Sequence, residues 1–345
     1  MRALTLRGGV LLTWLTALVF VAAPGAQSGA ARRLLQEVAA ISDREWTDVE
    51  RGEPLVWTLP ADSREVAVAG VVRISADRDR LIARLRAIGT LKRSAVVLDA
   101  ATFGAQPSAS DLARLTLEEH SLDLRDCKPG DCRVRLTADD IARFHRDVDW
   151  NAADWRQRSA DTWRSVLTAY ATAYLTQGRT ALPVYANKRE PISVSSELDV
   201  LLSRYGFVRD WSQTMHTYVQ RFGPGAPAGA ESTLYWTKED FGIRPIVRIS
   251  HQVVQRPGTG NDPALVVTNQ VYADHYLDAA LTVTMAVAAD DSRAFYMISV
   301  NRARTRSLSG WLRAIVRSTV HNRSRDAMRK ILAATKTSLE QEKQD

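Results

Sequence analysis

The chain has 345 residues, 45% hydrophobic and 25% charged, with 46 Lys and Arg against 39 Asp and Glu for a formal net charge of +7. These fractions exclude a largely disordered or collagen-like chain, and a mean hydropathy of −0.21 argues against repeated apolar membrane spans. Two cysteines exclude a disulfide-dense mini-scaffold and a four-thiolate zinc site.

Residues 1–30 predict a secretory signal peptide. Arg2 and Arg7 supply the basic start, 10–23 is almost wholly apolar, and small residues over 22–31 suit cleavage between Ala26 and Ala31. A helix over the apolar run spans about 21 Å, short of a hydrocarbon core of about 30 Å. Removing Arg2 and Arg7 leaves 44 basic against 39 acidic residues, or +5. An exported chain seldom meets nucleic acid, and no zinc-finger, helix-turn-helix or RNP signature is present, so nucleic acid is not an expected partner.

Residues 31–136 read as the first part of a sheet domain. Leu34, Leu35, Val38, Ile41 and Trp46 predict one helix over 31–49, and 55–59 predicts a strand. Val66, Val68, Gly70, Val72 and Ile74 alternate as a half-buried strand. A helix over 76–88 follows, with Leu81, Ile82, Leu85 and Ile88 on one face, and then a strand at 91–98. Cys127 and Cys132 flank Pro129-Gly130, the central pair of a type II turn. Lys128 and Asp131 would close that turn, leaving the cysteines as a non-hydrogen-bonded pair about 4.5 Å apart at the α-carbons, within disulfide reach.

Residues 137–222 read as a helical insertion, with helices over 141–145, 154–177, 195–205 and 208–222. The Gly/Pro-rich stretch opening 223–232 is a linker. Over 233–345 the period returns to two, with strands at 233–237, 245–254, 266–276, 281–288 and 294–302. A long basic amphipathic helix over 308–342 ends the chain. Strands, then helices, then strands with a terminal helix define an α+β fold with an antiparallel sheet packed on that last helix.

Residues 65–88 and 235–339 resemble the START-like, or helix-grip, fold, in which an antiparallel sheet grips a long C-terminal helix around an apolar cavity. The helical insertion departs from that pattern, and no residue-level motif is shared. The resemblance implies a ligand cavity and carries over no catalytic residue. The chain is also similar to uncharacterised exported bacterial proteins, which implies a compartment and no activity.

None of His120, His145, His216, His251, His275 and His321 has a second histidine at zinc-ligand spacing, so a metal site would have to be assembled from distant residues. No metal or other cofactor is expected. His251 shares the apolar face of its strand with Val247, Ile249 and Val253. It is either a core histidine bonded to a backbone carbonyl or a group that fixes a ligand head group. Tyr272, Asp274, Tyr276 and Asp278 would share one strand face, with His275 on the other, and could do general acid–base work or simply pack across strands. Ser299 and Asn301 end the neighbouring strand. The expected ligand-binding set is His251, Tyr272, Tyr276, Asp278, Asn301 and Trp236, for an apolar or lipid-like small molecule.

Between Arg302 and Lys330, nine basic residues meet only one acid, Asp326. With Trp311, the residues Arg313, Arg317 and Arg325 would suit an anionic membrane surface, or else form an ordinary solvated helix face. The leading expectation is an exported, non-enzymatic binding protein. The alternatives are an envelope hydrolase using His251 or His275 with Asp274 or Asp278, and a structural envelope protein.

Overall fold

The computed structural model describes residues 26–88, 96–240, 244–256, 262–290, 293–306 and 313–341, with backbone only at 26–28 and 313–317. The signal segment 1–25, most of the expected 91–98 strand, and Trp311 lie outside the described residues, as do the side chains of Arg313 and Arg317.

The chain is α+β. Helices α1 (Ala26–Ala39) and α2 (Asp43–Glu50) precede strands β1 (Leu55–Thr58) and β2 (Glu65–Ile74), followed by α3 (Arg78–Arg86) and β3 (Val97–Thr102). A helical stretch holds α4 (Glu119–Leu122), α5 (Ala138–Asp147), α6 (Trp155–Gln177), α7 (Val194–Leu202), α8 (Val208–Trp211) and α9 (Gln213–Arg221), interrupted by short strands β4 (Val184–Tyr185) and β5 (Ile192–Ser193). The meander β6 (Ala230–Asp240), β7 (Pro245–Gln255), β8 (Ala264–Ala273), β9 (Ala279–Ala288) and β10 (Phe295–Arg304) leads to α10 (Arg313–Gln341). Eight strands form one antiparallel sheet in the order β1-β2-β10-β9-β8-β7-β6-β3.

Strand alternation gives the sheet two unlike faces. One carries Ala67, Ala69, Val71, Leu234, Trp236, Val247, Ile249, Val253, Leu265, Val267, Leu281, Val283, Met285, Tyr296, Ile298 and Val300, merged into a single apolar cluster with residues of α1, α5, α6, α7 and α9. The helical stretch is therefore a layer on the sheet, sharing its core. The opposite face packs Val68, Val72, Ile74, Phe295 and Met297 against Met328, Leu332 and Leu339 of α10, and Val254, Val266 and Ala286 join Leu81 and Ile82 of α3. Gly70 makes the α10 contact possible, because a Cβ there would sit 2.7 Å from Leu332 Cδ1 and 3.0 Å from Met328 Cγ.

Three expectations change. The single 31–49 helix breaks at Ala40, which has φ +49. Ser42 starts a new helix there by a reciprocal capping box with Glu45. Ser212 likewise caps α9 and splits the expected 208–222 helix. Strand β8 stops at Ala273, so Tyr276 and Asp278 leave the strand face that Tyr272 occupies. The disulfide Cys127–Cys132 forms with the cysteine α-carbons 4.5 Å apart, and Lys128 and Asp131 close the turn. The tip docks on 186–188: Gly130 donates to Ala186 O and Cys132 to Asn187 O.

Candidate functional site

A sheet with one apolar face usually turns its polar face to water. Here much of the polar face is buried as well. Ser299 and Asn301 of β10, Thr282 and Thr284 of β9, Thr268 and Gln270 of β8, Arg248, Ser250 and Gln252 of β7, and Tyr235, Thr237 and Glu239 of β6 form one patch on the α10 side, aligned by cross-strand register. Most are buried, Ser250 to 1% and Gln270 to 2% exposure.

Some of these groups satisfy each other. Asn301 Nδ2 donates to Thr282 Oγ1 at 2.7 Å, Thr284 and Ser299 share a bond at 3.1 Å, and Gln252 Nε2 donates to Leu85 O at 2.7 Å. Arg248 pairs with Glu239 at 2.9 Å, and Thr237 Oγ1 donates to the same carboxylate at 2.6 Å. Burial pushes the Tyr235 hydroxyl up, although Ser250 and Thr268 lie beside it. Three polar atoms stand out. Gln270 donates to Leu277 O at 3.3 Å, but among the described residues its Oε1 is buried with no hydrogen-bond partner, and so are Arg248 Nε and Ser250 Oγ. A buried polar atom left unpaired costs about 1–3 kcal/mol, so an acceptor and a donor both await a partner on this face.

Helix α10 packs chiefly on β2 and β1, not on the strands that carry most of the patch. Met328, Leu332 and Leu339 are its inward residues, and Arg325, one turn before Met328, is half-buried with its Nε unpartnered among the described residues.

The expected ligand set divides. Asn301 lies in the polar patch. His251, Tyr272 and Trp236 lie on the other face, in the core under the helical layer. The Trp236 indole donates to Asp111 O at 2.8 Å. Tyr272 stacks on Tyr170 at 4.9 Å and donates to Arg135 O at 2.8 Å. His251 therefore stands across the sheet from α10 and is no wall of a compartment beneath it. Its Nδ1 meets Tyr174 OH at 3.0 Å, where a backbone carbonyl was expected, amid Tyr218 and Phe222.

Burial lowers the His251 pKa to about 4. The folded protein thus binds fewer protons here than the unfolded chain between about pH 4 and 6.5, so stability falls as pH drops through that window. His251→Gln is expected to flatten the pH dependence of the urea midpoint between pH 6.5 and 4, removing on the order of 3 kcal/mol of acid sensitivity. An unchanged profile would mean that His251 is not buried in its neutral form.

Asp278 and Tyr276 sit in the β8–β9 connection at the end of the sheet. Asp278 is fully buried between Arg135 and Arg64, and Glu197 of α7 bonds Arg304 and Arg64. Asp62 joins Arg304, and Glu65 joins Arg302. Burial raises the Asp278 pKa against the pull of Arg135. At Glu197 burial also pushes up, but hydrogen bonds from Arg304 and Arg64 hold the carboxyl below its ordinary value. The network joins the helical layer to the sheet and holds Asp278 in ion pairs with Arg135 and Arg64. No hydrogen bond or ring contact joins His251 to Asp274 or Asp278 among the described residues.

The basic run is also narrower than its sequence suggests. Arg302, Arg304 and Arg306 are matched by Glu65, Asp62, Glu197 and Glu190, acids remote in sequence. On the described part of α10, Arg323, Arg329 and Lys330 are exposed, whereas Arg325 turns inward.

Among the described residues no helix is long and apolar enough to cross a membrane. No family model and no curated protein matches this chain.

Proposed function

We propose that this is an exported binding protein that holds an amphipathic, lipid-like molecule on the polar sheet face beside α10, without catalysing a reaction. The observation that carries the reading is Gln270 Oε1, buried and unpaired in a patch of amides and hydroxyls that should face water. The START-like resemblance supports a ligand on the same sheet face as the last helix. The lining shifts the ligand from purely apolar to one whose head group both donates, to Gln270 Oε1, and accepts, from Arg248 Nε. Export is supported by the basic-then-apolar start and by the disulfide, which persists in oxidising compartments. Distant carboxylates already match Arg302, Arg304 and Arg306, so docking on an anionic membrane would fall to the exposed Arg323, Arg329 and Lys330 of α10.

Organic extraction of the purified chain followed by mass spectrometry, with titration of a fluorescent fatty alcohol whose hydroxyl both donates and accepts, tests the reading. A co-purifying amphiphile is expected, with saturable probe binding that Gln270→Leu weakens about tenfold while the fold is kept, one lost hydrogen bond being worth about 1.4 kcal/mol. No extracted ligand and no probe binding would end the proposal.

A further inference from the structure

A second site lies at the same end of the sheet on the opposite face, and it goes beyond the ligand reading. Asp274 begins the β8–β9 connection, pinned by backbone bonds. Its N–H donates to Val247 O at 3.1 Å, its carbonyl accepts from Arg135 N at 2.8 Å, and its Oδ1 accepts from Val247 N at 2.9 Å. That same Oδ1 lies 3.0 Å from Nδ1 of the buried His275. Tyr276 follows at φ +56, a left-handed conformation that a tyrosine adopts only where its surroundings impose it. Arg135 grips its carbonyl at 2.9 Å, which makes His275 a rigidly placed side chain.

His120 of α4 comes from the far side of the sequence to meet it, the two rings edge to face with centres 5.2 Å apart. Among the described residues Nε2 of each imidazole is buried with no hydrogen-bond partner, and Nδ1 of His275 has only the close approach of Asp274 Oδ1. Two imidazoles with idle Nε2 atoms, one with a carboxylate 3.0 Å from its Nδ1, resemble the way metal-bound histidines are held and oriented. The spacing matches too. Metal–nitrogen bonds of about 2.0–2.1 Å in a tetrahedral arrangement place two ligand ring centres about 5 Å apart.

We propose that His120 and His275 bind one divalent transition-metal ion of the zinc or copper class through their Nε2 atoms, with Asp274 orienting His275. Among the described residues no group of three His, Cys, Asp or Glu surrounds a metal position. The remaining coordination positions would therefore fall to water or to a bound molecule. Imidazole donors select zinc and copper over magnesium and calcium.

Isothermal titration of the untagged, chelator-stripped protein with zinc chloride and with copper sulfate tests the site. One equivalent is expected to bind, lost in His120→Ala and in His275→Ala and kept in His216→Ala. Asp274→Asn should weaken binding by roughly 10- to 100-fold. If a variant fails to fold, copper electron paramagnetic resonance of the native chain decides the matter, since it should show two coupled imidazole nitrogens. Absence of binding overturns the proposal, as does binding that survives either single histidine substitution or a spectrum without two imidazole nitrogens. Metal binding is read without any lipid, so its failure and that of the ligand reading are separable.

Discussion

Asp278→Ala is expected to destabilise the protein by about 3–5 kcal/mol, the usual cost of removing one partner from a buried ion pair. Arg135 would keep its guanidinium buried with one partner fewer, and Arg64 would lose the carboxylate 3.5 Å away. The loss reaches beyond the pair, because Arg64 also holds Glu197 of α7 and Glu197 in turn holds Arg304 of β10. The helical layer and the sheet are therefore expected to loosen together, in a single cooperative transition. Asp278→Asn should cost less, since the amide oxygen still accepts from Arg135. Urea denaturation followed by far-ultraviolet circular dichroism measures both variants. A loss below about 1 kcal/mol for Asp278→Ala would place this cluster with weakly contributing surface pairs.

The same network responds to acid in two directions. Glu197 has a pKa held below its ordinary value, so its contribution is complete above that ordinary value and fades as pH falls through the folded one. Asp278 is raised, so the folded protein takes up its proton earlier than the unfolded chain does, and acid relieves part of the cost of burying that charge. Acid lability should therefore come from Glu197 and His251, not from Asp278.

The sheet was legible because period-two alternation survives in Val66–Ile74 and across the late meander, and α10 because its apolar residues recur at helical spacing. The two-sided use of the sheet was not legible. Trp236, His251 and Tyr272 read as pocket residues because aromatic and imidazole groups on a strand look alike whether a ligand or a helix covers them. The helical stretch reads as an insertion for a related reason. Its apolar residues mark a buried face, and nothing local says that the burying surface is a sheet formed later in the chain. The polar patch was missed because Thr268, Gln270, Thr282 and Ser299 have the composition of a solvent face, and burial is a tertiary property. Charge balance failed on distance alone, as Arg302 and Arg304 find their acids more than 100 residues away. The His120–His275 pairing is likewise non-local.

Leu332→Ala is expected to cost about 2–5 kcal/mol, the range for a fully buried leucine whose neighbours cannot collapse into the space. Leu332 is fully buried and, with Met328, forms the inward face of α10 over Gly70 of β2. Gly70→Ala attacks the same contact from the sheet side. Its new methyl would meet Leu332 Cδ1 at 2.7 Å and the Leu55 carbonyl oxygen at 3.2 Å, so overpacking should cost about 1–3 kcal/mol. The two substitutions are not independent: removing Leu332 Cδ1 vacates the space that the methyl introduced by Gly70→Ala would take. The double variant should therefore lose less than the sum of the single losses, by about 0.5 kcal/mol or more, as expected for residues in direct contact. Additive losses would mean that α10 does not sit on Gly70. The same variants bear on function. A lipid-like ligand held against the edge of α10 should bind more weakly to Leu332→Ala than to native protein even where both are fully folded. Equal affinity would place the ligand away from this helix.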